Sequence, residues 1–151
     1  MLPSLHDNYL VSYEVSCEAR QIKLFARRPT GERRGSNRTI VFSGVEAYHF
    51  QDDAFGNIIF SLEEVPAEQL LSQFRSEIAE SYRLAGAPGP WAADLASAAE
   101  ILAARGVRGF VLSSSYGLSG WMLARDASVA ADEPAPEMSR SIFQQHGQET
   151  Q

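Results

Sequence analysis

The chain has 151 residues, 44% of them hydrophobic and 21% charged, which is typical of one globular domain, and we expect no second domain within this length. A net charge of -6 disfavours nonspecific nucleic-acid binding, and a single cysteine excludes an intramolecular disulfide framework. With neither a bilayer-length apolar run nor a signal-peptide pattern, we expect a cytoplasmic protein that has no membrane partner.

The first two elements are strands with a period of two between apolar and polar residues. Residues 9–18 form one such run and residues 21–27 the other, and we expect them to pair as an antiparallel hairpin. Val11, Val15 and Cys17 share one face of the first run. If that face is the buried one, Cys17 is a structural residue of the core.

Two further runs continue the strand pattern. Residues 38–50 form the third strand, with Gly44 at a bulge or bend, and residues 57–63 form the fourth after a turn at 52–57. We predict that the four strands form an antiparallel meander whose buried residues include Val11, Leu24 and Phe60.

From Pro66 the apolar spacing changes to three and four, with Leu70, Phe74 and Ile78 on one side, as in a helix. Residues 86–90 end that helix, and the alanine-rich residues 91–105 predict a second. Strand patterns return at 107–114 and 120–124. Strands segregated from helices predict an α+β fold, an antiparallel sheet in the order β-β-β-β-α-α-β-β with two helices packed on one face.

The domain prediction places one α+β domain at residues 1–127. Residues 128–151 are predicted to be a disordered acidic tail, because they contain few large apolar groups to offset the entropy of ordering their backbone.

The most unusual local sequence is the serine- and glycine-rich stretch at 113–121. It lacks the lysine of a phosphate-binding loop, and Trp121 stands where a nucleophile elbow requires glycine. We therefore predict a tight hairpin in which Gly117 and Gly120 adopt positive φ.

One group of residues is an alternative candidate site for acid-base catalysis or ligand binding. His6 and Asp7 precede the first strand, and Glu46 and His49 lie in the third, so the four side chains can meet at one end of the sheet if these strands pair closely. Nothing in their spacing requires this, and Asp7 also suits a turn. We predict no metal and no cofactor.

Residues 27–38 carry five arginines and one glutamate, a local charge of +4 in an acidic protein. Guanidinium groups bind carboxylates and phosphates, so this loop is a candidate for contact with an acidic protein surface. A solvated loop is the alternative. No aromatic side chain interleaves with these arginines, and the absence of base stacking disfavours nucleic-acid binding.

Several segments together resemble a family of small, largely uncharacterised bacterial proteins, some of which are similar to the immunity proteins of toxin systems. The segments are 5–7, 9–13, 42–50, 57–60 and 114–121, and the resemblance spans about residues 5–125. It implies binding to a protein partner and carries no catalytic residue.

We therefore predict a noncatalytic bacterial binding protein, with an immunity-type protein that occludes a toxin as one form. The alternative is a small enzyme or ligand-binding protein that uses His6, Asp7, Glu46 and His49 beside the 113–121 hairpin. Oligomeric state stays open. The residues predicted to bind a partner are Arg28, Arg33, Arg34, Arg38, Ser115, Tyr116 and Trp121.

Overall fold

The computed structural model of the protein describes residues 2–28, 37–84 and 94–130, with the backbone alone at 82–84. The strands are β1 (Tyr9–Ser16), β2 (Gln21–Arg27), β3 (Asn37–Ser43), β4 (Ala47–Gln51), β5 (Asn57–Pro66), β6 (Arg108–Tyr116), β7 (Ser119–Ala124) and β8 (Asp126–Ala130). The helices are α1 (Ala67–Gln73), α2 (Arg75–Leu84) and α3 (Leu95–Ala104). Within the described ranges, no helix has the length and apolar character needed to cross a membrane.

The strands form one antiparallel sheet in the order β4-β7-β6-β5-β1-β2-β3-β8. The α+β class and the antiparallel sheet are confirmed. The predicted order of elements is wrong in part, because the third predicted strand divides into β3 and β4 at Gly44 and because β8 follows β7. The predicted meander holds for β1, β2 and β3 only, since β4 pairs with β7 while β5 pairs with β1 and β6.

The sheet curls until its two ends are joined by the chain itself. Gly44, at φ 61°, lies between β3 and β4, and Arg125 alone separates β7 from β8. Because β3 pairs with β8 and β4 pairs with β7, the segments 37–51 and 119–130 run antiparallel to each other on both sides of Gly44 and Arg125. The curled sheet encloses a core that includes Leu10, Ile22, Leu24, Ile40, Phe42, Ile59, Phe110, Leu112 and Met122.

Two irregularities in register change the faces predicted for β1 and β5. The register of β1 against β2 shifts between Leu10 and Ser12, which makes Val11 an extra residue. The register of β5 against β6 shifts on both sides of Ile59. As a result Val11 is 54% and Phe60 56% exposed, so the core positions predicted for them are wrong. Cys17 is exposed too, because it lies beyond the end of β1.

The helices pack on the outer face of the sheet. Leu70 and Leu71 of α1 and Leu102 of α3 form a second buried cluster with Trp121 and Leu123 of β7. The structure has three helices in its described ranges where two were predicted, because α1 ends at its C-cap, Phe74, before α2 begins.

The start of α3 is fixed by an N-cap. Asp94 accepts a hydrogen bond from the backbone N–H of Ser97 at 2.8 Å, which pairs a donor that the first turn of a helix leaves free.

The predicted boundary of the tail is corrected by β8. Val129 pairs with Ile40 of β3, so the folded domain continues to Ala130 instead of ending at residue 127. Backbone pairing holds these residues in the sheet, and their weakly apolar composition does not indicate it. Residues 131–151 lie outside the described residues, and a disordered tail there stays a prediction.

Candidate functional site

Large apolar side chains are exposed on the outer face of the sheet where β1, β5 and β6 meet. Tyr9, Phe60 and Tyr116 are 40%, 56% and 59% exposed, and Ile58 between them is half-buried. We call these four residues the apolar patch. Soluble proteins rarely leave such side chains together in water unless another surface covers them.

Strand register brings the apolar patch together. Tyr9 pairs with Ile58, and Ile58 pairs with Tyr116, so the three side chains stand side by side across three strands. Phe60 lies two residues further along β5 and meets the ring of His6 edge to face, with the ring centroids 5.3 Å apart. The patch therefore rests on three paired strands, with Phe60 placed beside the row by the irregular register of β5.

Arginines border the apolar patch at β2. Arg27 is opposite Tyr9 in the β1–β2 pairing, and Arg28 follows it in the chain; both are exposed. An aromatic surface with adjacent guanidinium groups has the composition found at the centres of protein interfaces.

The loop between β4 and β5 presents a further aromatic ring. Phe55 is 99% exposed, and its φ of 58° is a conformation that bulky residues rarely adopt. Its backbone N–H donates to Asp53 Oδ1 at 2.9 Å. The loop therefore holds Phe55 outward by specific contacts, three residues before Ile58 of the patch.

Asn57 connects this loop to the β6–β7 turn. Its buried side chain accepts hydrogen bonds through Oδ1 from the backbone N–H of Leu118 at 2.8 Å and of Ala54 at 3.1 Å. A Cβ on Gly117 would lie 2.0 Å from that same oxygen. Only glycine fits at residue 117, which also has φ 90°.

Hydrogen bonds in this loop shift two pKa values. The Asn57 amide, the Phe55 N–H and the Tyr13 hydroxyl all donate to Asp53, and these bonds lower the pKa of its carboxyl group. The same Tyr13–Asp53 bond, at 3.0 Å, raises the pKa of Tyr13, because losing the phenolic proton would break it.

The residues predicted to bind a partner have different positions. Tyr116 belongs to the apolar patch, Ser115 and Arg28 are exposed beside it, and Arg38 is half-buried on β3. Arg33 and Arg34 lie outside the described residues. Trp121 is only 5% exposed, and its ring contacts those of His49 and of Phe74, the C-cap residue of α1. The prediction that Trp121 contacts a partner is therefore wrong.

The second glycine of the 113–121 stretch also departs from its prediction. Gly117 has the expected positive φ, whereas Gly120 lies inside β7 without one. Glycine is required there for space, because a Cβ would lie 2.0 Å from the backbone oxygen of His49.

The alternative ligand site is not assembled. His6 and Asp7 contact each other at 3.4 Å beside Phe60, whereas His49 stacks on Trp121 and Glu46 contacts a group of arginines. The four side chains therefore occupy three separate environments. Across the part of the chain that the structure describes, no group of three or more His, Cys, Asp or Glu side chains is arranged to hold a metal ion.

Sequence reasoning missed the arginines around Glu46. Its carboxylate is 12% exposed and lies 3.4 Å from Arg125, 3.6 Å from Arg105 and 3.8 Å from Arg20. These residues are far apart in the chain and no motif joins them. The sequence also does not single out Tyr9 or Phe55, because exposure at a bulge or loop is decided by the fold.

Comparison of the chain with protein-family models, with curated proteins and with solved structures finds no match.

Proposed function

We propose that the protein is a noncatalytic binding protein that engages another protein through the apolar patch, with Phe55 as an additional anchor. The observation that carries this proposal is the row formed by Tyr9, Ile58 and Tyr116 on adjacent strands, in which both tyrosines are exposed to water and Ile58 is half-buried.

Covering the apolar patch with a partner is energetically favourable. Fully burying one large apolar side chain contributes about 1.5–3 kcal/mol, and a few such anchors account for most of the binding energy in many interfaces. A stable complex buries roughly 800 Å² on each partner, more than the patch alone supplies, so its surroundings must take part. Arg27 and Arg28 then favour a partner with carboxylates around an apolar centre.

An immunity-type role is the more specific form of this proposal. Such a protein inhibits a toxin by covering its active surface, which requires a rigid and exposed binding face but no catalytic group. The apolar patch, carried by three paired strands, suits that task, and the resemblance of residues 5–125 supports it.

The test is affinity capture from cells of the source organism, followed by reconstitution with the purified partner. Baits are the native chain, a Phe60→Ser/Tyr116→Ser variant and a Val129→Ser control, since Val129 is 48% exposed on β8 outside the patch. We expect one stoichiometric partner with the native and control baits and its loss with the patch variant. An Arg33→Glu/Arg34→Glu bait tests the arginine-rich loop separately.

The results test the immunity-type role and the broader proposal of partner binding separately. If the purified partner is a toxin that the native chain inhibits in equimolar amounts, the immunity-type role holds. Loss of that inhibition with the patch variant would show that the toxin binds at the apolar patch. Equal capture of the same partner by the native chain and the patch variant contradicts binding through the patch. Catalytic turnover of a metabolite by the purified protein, with no partner captured, contradicts the whole proposal.

A further inference from the structure

A groove of about 400 Å³ lies between the turn that joins β1 to β2 and the first residues of β4. Val15, Cys17 and Arg20 line one side of it, and Val45, Glu46 and Tyr48 line the other. It is separate from the apolar patch, and its walls combine apolar side chains with charged ones.

Two strand edges flank this groove. Among the described residues, β4 pairs with β7 alone, and β1 beyond Leu10 pairs only with β2. An unpaired edge presents backbone N–H and C=O groups, which an extended peptide can use by adding as a further strand.

The charge at one end of the groove is unbalanced. Arg20, Arg105 and Arg125 face the single carboxylate of Glu46, three positive charges against one negative, a net +2. Only the Arg125–Glu46 pair, at 3.4 Å, is close enough for a hydrogen bond, and the three guanidinium side chains are 45–66% exposed. Asp126, next in the chain, pairs with Arg108 instead, at 3.5 Å. The arginines therefore retain guanidinium N–H groups that can donate hydrogen bonds to a second carboxylate.

We infer that this groove binds an extended peptide segment of another protein, with a glutamate or aspartate of that segment held by Arg20, Arg105 and Arg125. The free edge of β4 supplies backbone pairing, Val15 and Tyr48 contact an apolar side chain, and the arginines select the acidic one. The inference rests on different residues from the patch and stands independently of it.

Cys17 gives a local readout, because it lines the groove and is the chain's only cysteine. The rate of its modification by N-ethylmaleimide is measured with the full chain. The probes are an acetylated, amidated Thr-Val-Glu-Val-Thr peptide and the same peptide with Lys in place of Glu, each at ~1 mM, a concentration that detects weak binding. We expect the glutamate peptide to slow modification severalfold and the lysine peptide to leave the rate unchanged.

Four variants sharpen the test. Arg20→Gln and Arg125→Gln should each weaken binding of the glutamate peptide about tenfold, the effect of losing a hydrogen bond to a charged group, and so remove most of the protection. Arg75→Gln, an exposed arginine on α2, should leave protection unchanged. Glu46→Gln should strengthen it, because this change removes the carboxylate that competes for the arginines. Circular dichroism confirms that each variant is folded before its rate is compared.

The proposal is overturned if neither peptide protects Cys17, if both protect it equally, or if Glu46→Gln weakens protection in a folded protein. It is also overturned if sedimentation shows that the native chain dimerises and that Arg125→Gln makes it monomeric, since a second copy would then occupy the groove.

Discussion

The rings of Phe42 and Phe110 meet edge to face across the interior of the curled sheet, with their centroids 5.1 Å apart. Phe42 belongs to β3 and Phe110 to β6, strands separated in the sheet by β2, β1 and β5. These two rings can contact each other only because the sheet is strongly curved, so their contact depends directly on that curvature.

Truncating either ring should therefore be costly. We expect Phe42→Ala or Phe110→Ala to lower the free energy of unfolding by about 3–5 kcal/mol, since each leaves a cavity in a fully buried site. Urea unfolding measures this loss. In the control variant Phe60→Ala, which truncates an exposed ring, the free energy of unfolding should change by less than ~0.5 kcal/mol. The double variant should show a coupling of about 0.5–1.5 kcal/mol beyond additivity. Additive losses would mean that the rings do not contact each other.

Helix α1 packs closely against the sheet at Gly109. A Cβ there would lie 2.8 Å from the Leu70 Cβ and 2.9 Å from Val65 Cγ2. Gly109→Ala should destabilise the protein by about 1–3 kcal/mol through overpacking. In the matched control, Gly56→Ala, the added methyl group meets nothing within 4 Å, and thermal unfolding should change little. A similar loss at both glycines would argue against close packing of α1.

Asn57 links the β4–β5 loop to the β6–β7 turn. Asn57→Ala should cost about 1–3 kcal/mol in urea unfolding, because the N–H of Leu118 is buried and loses its acceptor. The exposed Asn37→Ala on β3 serves as the comparison and should stay within about 0.5 kcal/mol of the native value. The Asn57 variant should also weaken partner capture, since the same residue supports the loop that carries Phe55.

Acid should loosen the same loop. Hydrogen bonds from Asn57, Phe55 and Tyr13 hold the pKa of Asp53 below its ordinary value of 3.8. A carboxyl group with a lowered folded-state pKa stabilises the fold above its unfolded pKa, and that contribution is lost as pH falls through the folded value.

The measurement is thermal unfolding of the native chain and of Asp53→Asn from neutral pH to below 3.8, the ordinary value of this carboxyl. The native Tm should fall more steeply than that of the variant over the acid end of this range. Parallel curves would show that Asp53 does not contribute to acid sensitivity.

The sequence predicts most of the elements because their periodicity is regular. The β1–β2 hairpin forms with Val15 opposite Ile22, as the alternation of both strands indicates. Gly44 marks the bend that was expected of it, and Gly117 the expected tight turn. These positions depend on local chemistry, which the sequence displays directly.

Features set by distant parts of the chain were not predictable in the same way. The bulges that expose Val11 and Phe60 change the face of a strand without changing its composition. The group around Glu46 joins residues from a turn, a helix end and the link between two strands, so only the folded chain brings them together.

The pairing of β3 with β8 has a consequence for how the chain reaches its native state. Thr39 and Ala130 are partners, so β8 cannot pair with β3 until nearly the whole described chain has left the ribosome. Such distant pairing carries a large loop-closure entropy and typically slows folding. Until the last strand arrives, β3 exposes one bare edge, and an unpaired strand edge of this kind favours aggregation.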